Sequence, residues 1–267
     1  MRTKIYDPEK HRLMYFEEEA SEEFWTEKWK KLASHTFLNP PRQRRIIRTT
    51  RRYLPVGSRI LEGGCGLGQV VYALDKVGFK THGIDFSSQV VEAVNKNWPH
   101  LAVTCGDVRN LQVQDGAYDG YWSFGVIEHF IDGYDDIAQE MKRVLREGGY
   151  LFLTFPSFNQ FRQTRAAAGS YLSLDDHDSD FSKFYQFALN AQDLIKYFKS
   201  LGFELLKHGG NSSLHGLAED SQFFSFIESF LEKFPARVGT AISAAMDIII
   251  GRYAGHSCLL VLRKKEQ

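Results

Sequence analysis

Short apolar runs alternate with amphipathic stretches through the middle of this chain. Ser58-Arg59-Ile60-Leu61 reads as the end of a short buried strand, and Gln69 to Val77 as the helix after it. Lys80 to Phe86 reads as a second strand. Ser87 then N-caps a helix with Val90, Val91 and Val94 on one face. Ala102 to Val108 and Tyr118 to Phe124 follow as strands three and four, and a helix from about Asp135 to Arg146 closes at Gly148-Gly149. Tyr150 to Pro156, Phe203 to His208 and Ser257 to Arg263 are the remaining strands, with a helix from Gln192 to Leu201 ahead of the sixth. Strands alternating with helices in this way predict an α/β fold with a doubly wound, mostly parallel sheet.

The flanks are patterned differently. In residues 1–38, Phe24, Trp25, Trp29 and Leu32 recur at helical spacing, which predicts an amphipathic helix packed on the sheet edge or serving as an aromatic lid. Beyond Asn39-Pro40-Pro41, a second helix to about Tyr53 carries Arg42, Arg44, Arg45, Arg48, Arg51 and Arg52 opposite Ile46, Ile47, Thr50 and Leu54. Most of these arginines read as a solvated face, with phosphate or membrane binding as the alternative. Residues 157–190 form a long aromatic connection, a length that in compact domains often marks a functional lid. Between strand six and the last strand lie two more helical patterns, Phe223 to Phe234 and Val238 to about Gly251. The expected organisation is an N-terminal helical cap over 1–54 and a main domain over 55–267, with a helical insert at about 209–256.

Chemistry enters at the first crossover. Glu62-Gly63-Gly64-Cys65-Gly66-Leu67-Gly68 joins strand one to its helix, and glycines there let a ligand reach the backbone. A dinucleotide turn reads G-x-G-x-x-G, but Gln69 occupies the place of the third glycine and the spacing is E-x-G-x-G-x-G. An acid inside the turn would repel a pyrophosphate and suits a ligand that is cationic there. Asp85 ends strand two about twenty residues further on, where an acid commonly accepts from ribose hydroxyls. Asp107 and Val108 leave strand three with an acceptor and a backbone suited to an exocyclic amine and its neighbouring ring nitrogen.

Composition narrows the partners. The 267 residues carry 33 basic and 33 acidic side chains, a net charge of zero that argues against nucleic acid. Cys65, Cys105 and Cys258 are too far apart for a disulfide framework or a metal spacing. Met1-Arg2-Thr3-Lys4 leads to no apolar signal core and no run suits a bilayer span, so a reduced, cytoplasmic setting is expected. The pattern Phe223 to Gly251 reads as a cap docked on the domain, or as a hydrophobic surface for a partner subunit or for peripheral membrane or lipid contact through 223–251. The oligomeric state is not legible.

The four strand ends, Glu62-x-Gly64-x-Gly66-x-Gly68, Gly83-Ile84-Asp85, Gly106-Asp107-Val108 and Asp119 to Phe130, stand in the order and spacing of the motifs of class I S-adenosylmethionine-dependent methyltransferases. The resemblance covers about Asn39 to Phe155 and is more distant over Gln192–His208 and the final strand. Val126-Ile127-Glu128-His129 and Lys142-Arg143-Val144-Leu145-Arg146-x-Gly148-Gly149 look like the small-molecule branch, which includes ubiquinone-pathway O-methyltransferases and glycan or glycolipid tailoring enzymes. The resemblance implies a Rossmann-like sheet of seven strands, the last antiparallel, and S-adenosyl-L-methionine as cofactor. It implies that Gly64, Gly66 and Gly68 line the methionine part, that Glu62 lies near its amino group and that Asp85 holds the ribose. It further implies that Asp107 and Val108 meet the adenine, that Phe124 flanks the cofactor and that Arg42 reaches it. Gly63 stands where the family has an aliphatic residue, a change expected to loosen the turn. Gly125 replaces the first Glu of the Glu-x-x-Glu-His pattern with which some members bind a divalent metal, so no metal is expected.

The chemistry so implied is in-line transfer of a methyl group to a hydroxyl or amine of a small-molecule or lipid-linked acceptor, aided by alignment and exclusion of water. His129 is the candidate base and Glu128 its orienter. A protein methyltransferase and a non-catalytic binding or scaffold protein of the same fold stay open. A nucleic-acid acceptor is opposed by the neutral charge and by Ser123-Phe124-Gly125-Val126 standing where amino-methylating DNA enzymes carry an Asn-Pro-Pro-Tyr-type tetrad, and the scaffold reading must explain intact cofactor residues.

Overall fold

A computed structural model describes residues 3–17, 21–33, 40–176, 181–231, 233–234 and 236–266. In chain order, strands β1 (Thr3–Asp7) and β2 (Arg12–Phe16) precede helices α1 (Glu22–Ala33) and α2 (Pro40–Tyr53). Then come β3 (Arg59–Gly63), α3 (Gln69–Asp75), β4 (Lys80–Asp85), α4 (Ser88–Asn97), β5 (Val103–Cys105) and β6 (Tyr118–Phe124). A 3-10 turn at Ile127–His129 leads to α5 (Asp135–Val144), β7 (Leu145–Pro156), α6 (Gln160–Ala167), β8 (Leu172–Ser173) and β9 (Phe184–Ala188). The chain ends with α7 (Ala191–Ser200), β10 (Phe203–Asn211), α8 (Ser213–Ala218), α9 (Gln222–Leu231), α10 (Ala236–Ala254) and β11 (Ser257–Lys264).

Seven strands form one sheet in the order β10-β11-β7-β6-β3-β4-β5. Its centre is parallel: β3 pairs in parallel with both β4 and β6, and β4 with β5. Parallel strands covered on both faces need near-continuous apolar runs, and Ile60, Leu61, Ile84, Tyr121, Trp122, Leu151, Phe152 and Leu153 are all buried. This is the expected Rossmann-like architecture. Helix α2 exposes Arg44, Arg45, Arg48, Arg51 and Arg52 while burying Ile46 and Thr50, with Leu54 buried just beyond its end, so the arginines form the solvated face. The indole N–H of Trp122 donates to the buried Thr50 hydroxyl at 3.1 Å and fixes the helix on β6. Helix α5 stops at Val144, short of the expected Arg146, because the chain is already extended from Leu145.

By its contacts the chain divides into two compact units. One comprises Met1–Glu19, Thr154–Tyr197 and Lys207–Leu260; the other comprises Ala20–Leu153, Phe198–Leu206 and Val261–Gln267. Residues 1–54 therefore do not travel together: β1 and β2 belong to the first unit, α1 and α2 to the second.

The first unit holds a four-stranded sheet, β8-β1-β2-β9, where a helical cap and a long connection were expected. β1 and β2 form an antiparallel hairpin in register Thr3↔Phe16 to Asp7↔Arg12, and the Asp7 carboxylate accepts from Lys10 N and Arg12 Nε across the turn. β9, from the supposed connection, pairs with β2, and Leu13, Met14, Tyr15 and Phe187 are buried there. The same unit contains α8, which the sequence pattern did not predict: the Asp247 carboxylate of α10 accepts from the backbone N–H groups of Ser212 and Ser213 at its start. Helices α9 and α10 leave Phe223, Phe226, Phe230, Ile248 and Ile249 exposed. Among the described residues, no helix is long and apolar enough to cross a membrane.

Candidate active site

The glycine turn after β3 is shaped by its neighbours. Gly64, Gly66 and Gly68 have φ of 72°, 49° and 68°, the left-handed region open mainly to glycine. The N–H groups of Gly64 and Cys65 both donate to Ile84 O, at 2.8 and 3.0 Å, which ties the turn to β4. Asp85 completes the tie: its Oδ2 accepts from Gly66 N at 2.7 Å and its Oδ1 from Ser87 N at 3.1 Å. Glu62 reaches under the helix, where its Oε2 accepts from Val71 N at 3.2 Å. Both acids are buried, at 4% exposure each. These backbone bonds orient the two acids.

Gly63 does not loosen the turn. A Cβ at this position would collide with the hydroxyl of Tyr121, which β6 presents from the neighbouring strand. Tyr121 is fully buried, and burial raises its hydroxyl above the ordinary tyrosine range. The tyrosine ring supplies the bulk that the backbone position lacks.

Because β6, β3, β4 and β5 are neighbours running in parallel, their exits stand in a row. Phe124, the glycine turn, Asp85 and Asp107-Val108 leave this one edge in that order. Val108 is buried, whereas Asp107 is 42% exposed and held by Arg109. The hydrogen bonds from the Arg109 side chain keep the Asp107 carboxyl below the usual carboxylate range, against the opposing effect of burial. Phe124 stacks beside Trp122, with ring centroids 6.5 Å apart.

Helix α1 touches both sides of this row. Its Thr26 hydroxyl lies 2.8 Å from the hydroxyl of Ser87, the N-cap of α4. One residue earlier, Trp25 meets the His129 ring edge-on at 4.7 Å. Ser87 follows β4 and His129 follows β6, so α1 bridges the exits on either side of β3. Lys28 of the same helix lies 4.4 Å over the Trp25 ring. The side chains of Trp29, Leu32 and Arg42 lie outside the described residues.

Glu128 is the unusual group in this region. It is 2% exposed, and its Oε2 has no hydrogen-bond partner among the described residues. Burial pushes its carboxyl up to about 8, only partly offset by its own backbone N–H and by Lys28. At neutral pH it is therefore a neutral acid. Gly125, at φ +74°, makes room for it: a Cβ there would stand 3.3 Å from Glu128 Oε1.

The described site residues named from the sequence thus gather at one sheet edge. The sequence reading missed Arg109, Tyr121 and Thr26. Arg109 had a legible signal, an acid and an arginine two apart at a strand exit; Tyr121 and Thr26 act on residues distant in sequence and had none.

Residues 61–153 match the family described as the methyltransferase domain. Over 163 residues the chain is 29% identical to a probable S-adenosylmethionine-dependent methyltransferase of Mycolicibacterium smegmatis, covering 61% of this chain and 58% of that one. A 2-methyl-6-phytyl-1,4-hydroquinone methyltransferase of Synechocystis is 33% identical over 102 residues, 37% of this chain and 32% of its own. Among solved structures, the cyclase SpnF superposes with a TM-score of 0.55 at 21% identity, covering 84% of this chain and 81% of that one, a likeness of fold. The chain spans about three fifths or less of the length of these two curated relatives. The fold is an α/β sheet of the Rossmann-like kind, with the candidate site residues at its parallel strand ends. Within that class the chain is similar to S-adenosylmethionine-dependent methyltransferases, through its matched domain at residues 61–153 and its relative in Mycolicibacterium smegmatis.

Proposed function

We propose that this chain transfers the methyl group of S-adenosylmethionine to a hydroxyl or amine of a small-molecule or lipid-linked acceptor. The cofactor supplies a sulfonium methyl: the acceptor's lone pair forms the new bond to carbon while the carbon–sulfur pair returns to sulfur, leaving S-adenosylhomocysteine. One observation carries the reading, the gathering of Glu62, the three glycines, Asp85, Asp107 and Val108 at adjacent parallel strand ends. Glu62 takes the amino group of the methionine part, Asp85 the ribose hydroxyls, and Asp107 with the Val108 backbone the adenine. Phe124 flanks the cofactor, and Arg42 is assigned to it by the resemblance of the Asn39-Pro40-Pro41-Arg42 segment.

His129 receives the proton of a hydroxyl acceptor, and Trp25 limits the ring's freedom from one side. Glu128 is assigned as the orienter of His129, a role it would fill as a neutral acid rather than through negative charge. Helix α1 excludes water from the strand ends it bridges. The exposed faces of α9 and α10 support contact with an apolar acceptor chain or a membrane surface.

Asp85→Ala tests the cofactor assignment. Affinity for S-adenosylhomocysteine should fall roughly tenfold to a hundredfold, since a charged acceptor is lost. Unchanged affinity in a folded variant overturns the ribose role.

A further inference from the structure

Arg109 is an exposed side chain beside an exposed acid, an arrangement that by itself contributes little to stability. Its geometry is nevertheless specific. Its backbone N–H donates to Asp107 Oδ1 at 2.9 Å. Its Nε lies 3.1 Å from Oδ1 and 3.0 Å from Oδ2, and its Nη2 donates to Oδ2 at 2.7 Å. The planar guanidinium and the carboxylate are locked edge to edge, the two-point arrangement a lysine cannot reproduce. The other face of the guanidinium system is also engaged: its Cζ lies 5.3 Å from the centroid of the Phe130 ring. Asp132 and Asp136 add negative charge nearby.

Asp107 leaves β5, and Phe130 follows the turn after β6. Those strands are not neighbours; β3 and β4 lie between them. The chain Asp107–Arg109–Phe130 therefore links the exit region of β5 to that of β6. It also leaves the Asp107 carboxylate few acceptor directions, because most of its about four positions face Arg109.

We propose that Arg109 is a positioning residue that sets base selectivity: it fixes Asp107 as an oriented acceptor for the exocyclic amine of adenine. This rests on the proposed cofactor site. An amine donates to the fixed carboxylate, whereas a base with a carbonyl at that position points one acceptor at another. A site built to receive a donor rejects the analogue lacking it far more strongly than an adaptable one does.

The experiment compares affinities for S-adenosylhomocysteine and S-inosylhomocysteine by calorimetry, in wild type, Arg109→Met, Arg109→Lys and Asp107→Asn. Wild type should prefer the adenine compound by about tenfold or more, the worth of one hydrogen bond to a charged group. Arg109→Met should reduce that preference to about threefold or less with an unchanged unfolding temperature, and Arg109→Lys should restore only part of it. Asp107→Asn should abolish it. A merely local ion pair would leave the ratio of the two affinities unmoved, so Arg109→Met with the wild-type ratio overturns the proposal. Equal binding of both compounds by wild type also overturns it, through the Asp107 assignment. Binding of neither overturns the cofactor site beneath it.

Discussion

Each unit buries an ionisable side chain almost completely, and the two do so in opposite ways. In the unit containing β1, β2 and α8–α10, Arg162 is fully buried and every nitrogen of its guanidinium is engaged. Its Nε donates to Asp220 at 2.9 Å, its Nη1 to Ser157 O at 2.7 Å and its Nη2 to Glu219. Lys4 donates to the other oxygen of Asp220, and His256 lies 3.1 Å from Glu219. In the other unit, Glu128 is as deeply buried but keeps an unpartnered oxygen. A saturated network fixes architecture, tying β1, α6, α8 and the start of β11 together. An unsaturated acid beside glycine-lined strand ends is a cost that packing alone does not require, and such groups gather at functional sites.

The two regions should also answer pH in opposite senses. Burial pushes Glu219 and Asp220 up, but the hydrogen bond with His256 and the charges of Arg162 and Lys4 hold Glu219 below its ordinary range, and Arg162 and Lys4 do the same for Asp220. Their stabilisation is present above the ordinary carboxylate pKa and is lost as pH falls through the depressed values. Glu128 has the reverse linkage. Its native form holds the proton more tightly than the unfolded chain, so its contribution is full below about 4.5 and is lost as pH rises toward about 8.

The largest effect should come from the saturated cluster. Arg162→Met strands Glu219 and Asp220, and denaturant unfolding should show a loss of about 3–5 kcal/mol at neutral pH; a loss under about 1 kcal/mol would deny the cluster its structural role. A smaller effect of opposite pH sense is expected at Glu128. Glu128→Gln should match wild type near pH 5 and become the more stable protein toward pH 8, by up to a few kcal/mol. Parallel stability curves for the two proteins would mean that Glu128 is not held neutral. Least disturbing to stability is Phe226→Asp with Ile249→Asp, at positions 71% and 79% exposed. Unfolding should move by about 0.5 kcal/mol or less, while any co-sedimentation with anionic liposomes disappears; retained co-sedimentation would remove the lipid-contact role of these faces.

The same contrast explains what the sequence disclosed. Strands β3 to β7 and the site at their ends were legible because each signal is local: a glycine spacing, an acid ending an apolar run, a cap before a helix. The charge cluster was not, because Lys4, Arg162, Asp220 and His256 meet across as many as 216 positions. The β1–β2 hairpin failed for a related reason. Its apolar residues are buried by β9, some 170 residues away, and the helical spacing of Phe24 and Trp25 drew the whole N-terminal stretch into one helical reading. Gly63 likewise makes sense only with Tyr121 across the strand pair. Arg109, by contrast, sat two residues from a named site residue and was overlooked because arginines near acids are usually solvated pairs.

The central claim is that one row of parallel strand ends holds S-adenosylmethionine. Calorimetric titration of the purified chain with S-adenosylmethionine, S-adenosylhomocysteine and NADH tests it most directly. Micromolar binding of the first two, with none of NADH, is the predicted result. A folded sample that binds neither sulfur compound would contradict the claim and leave the geometry of the strand ends to a scaffold role.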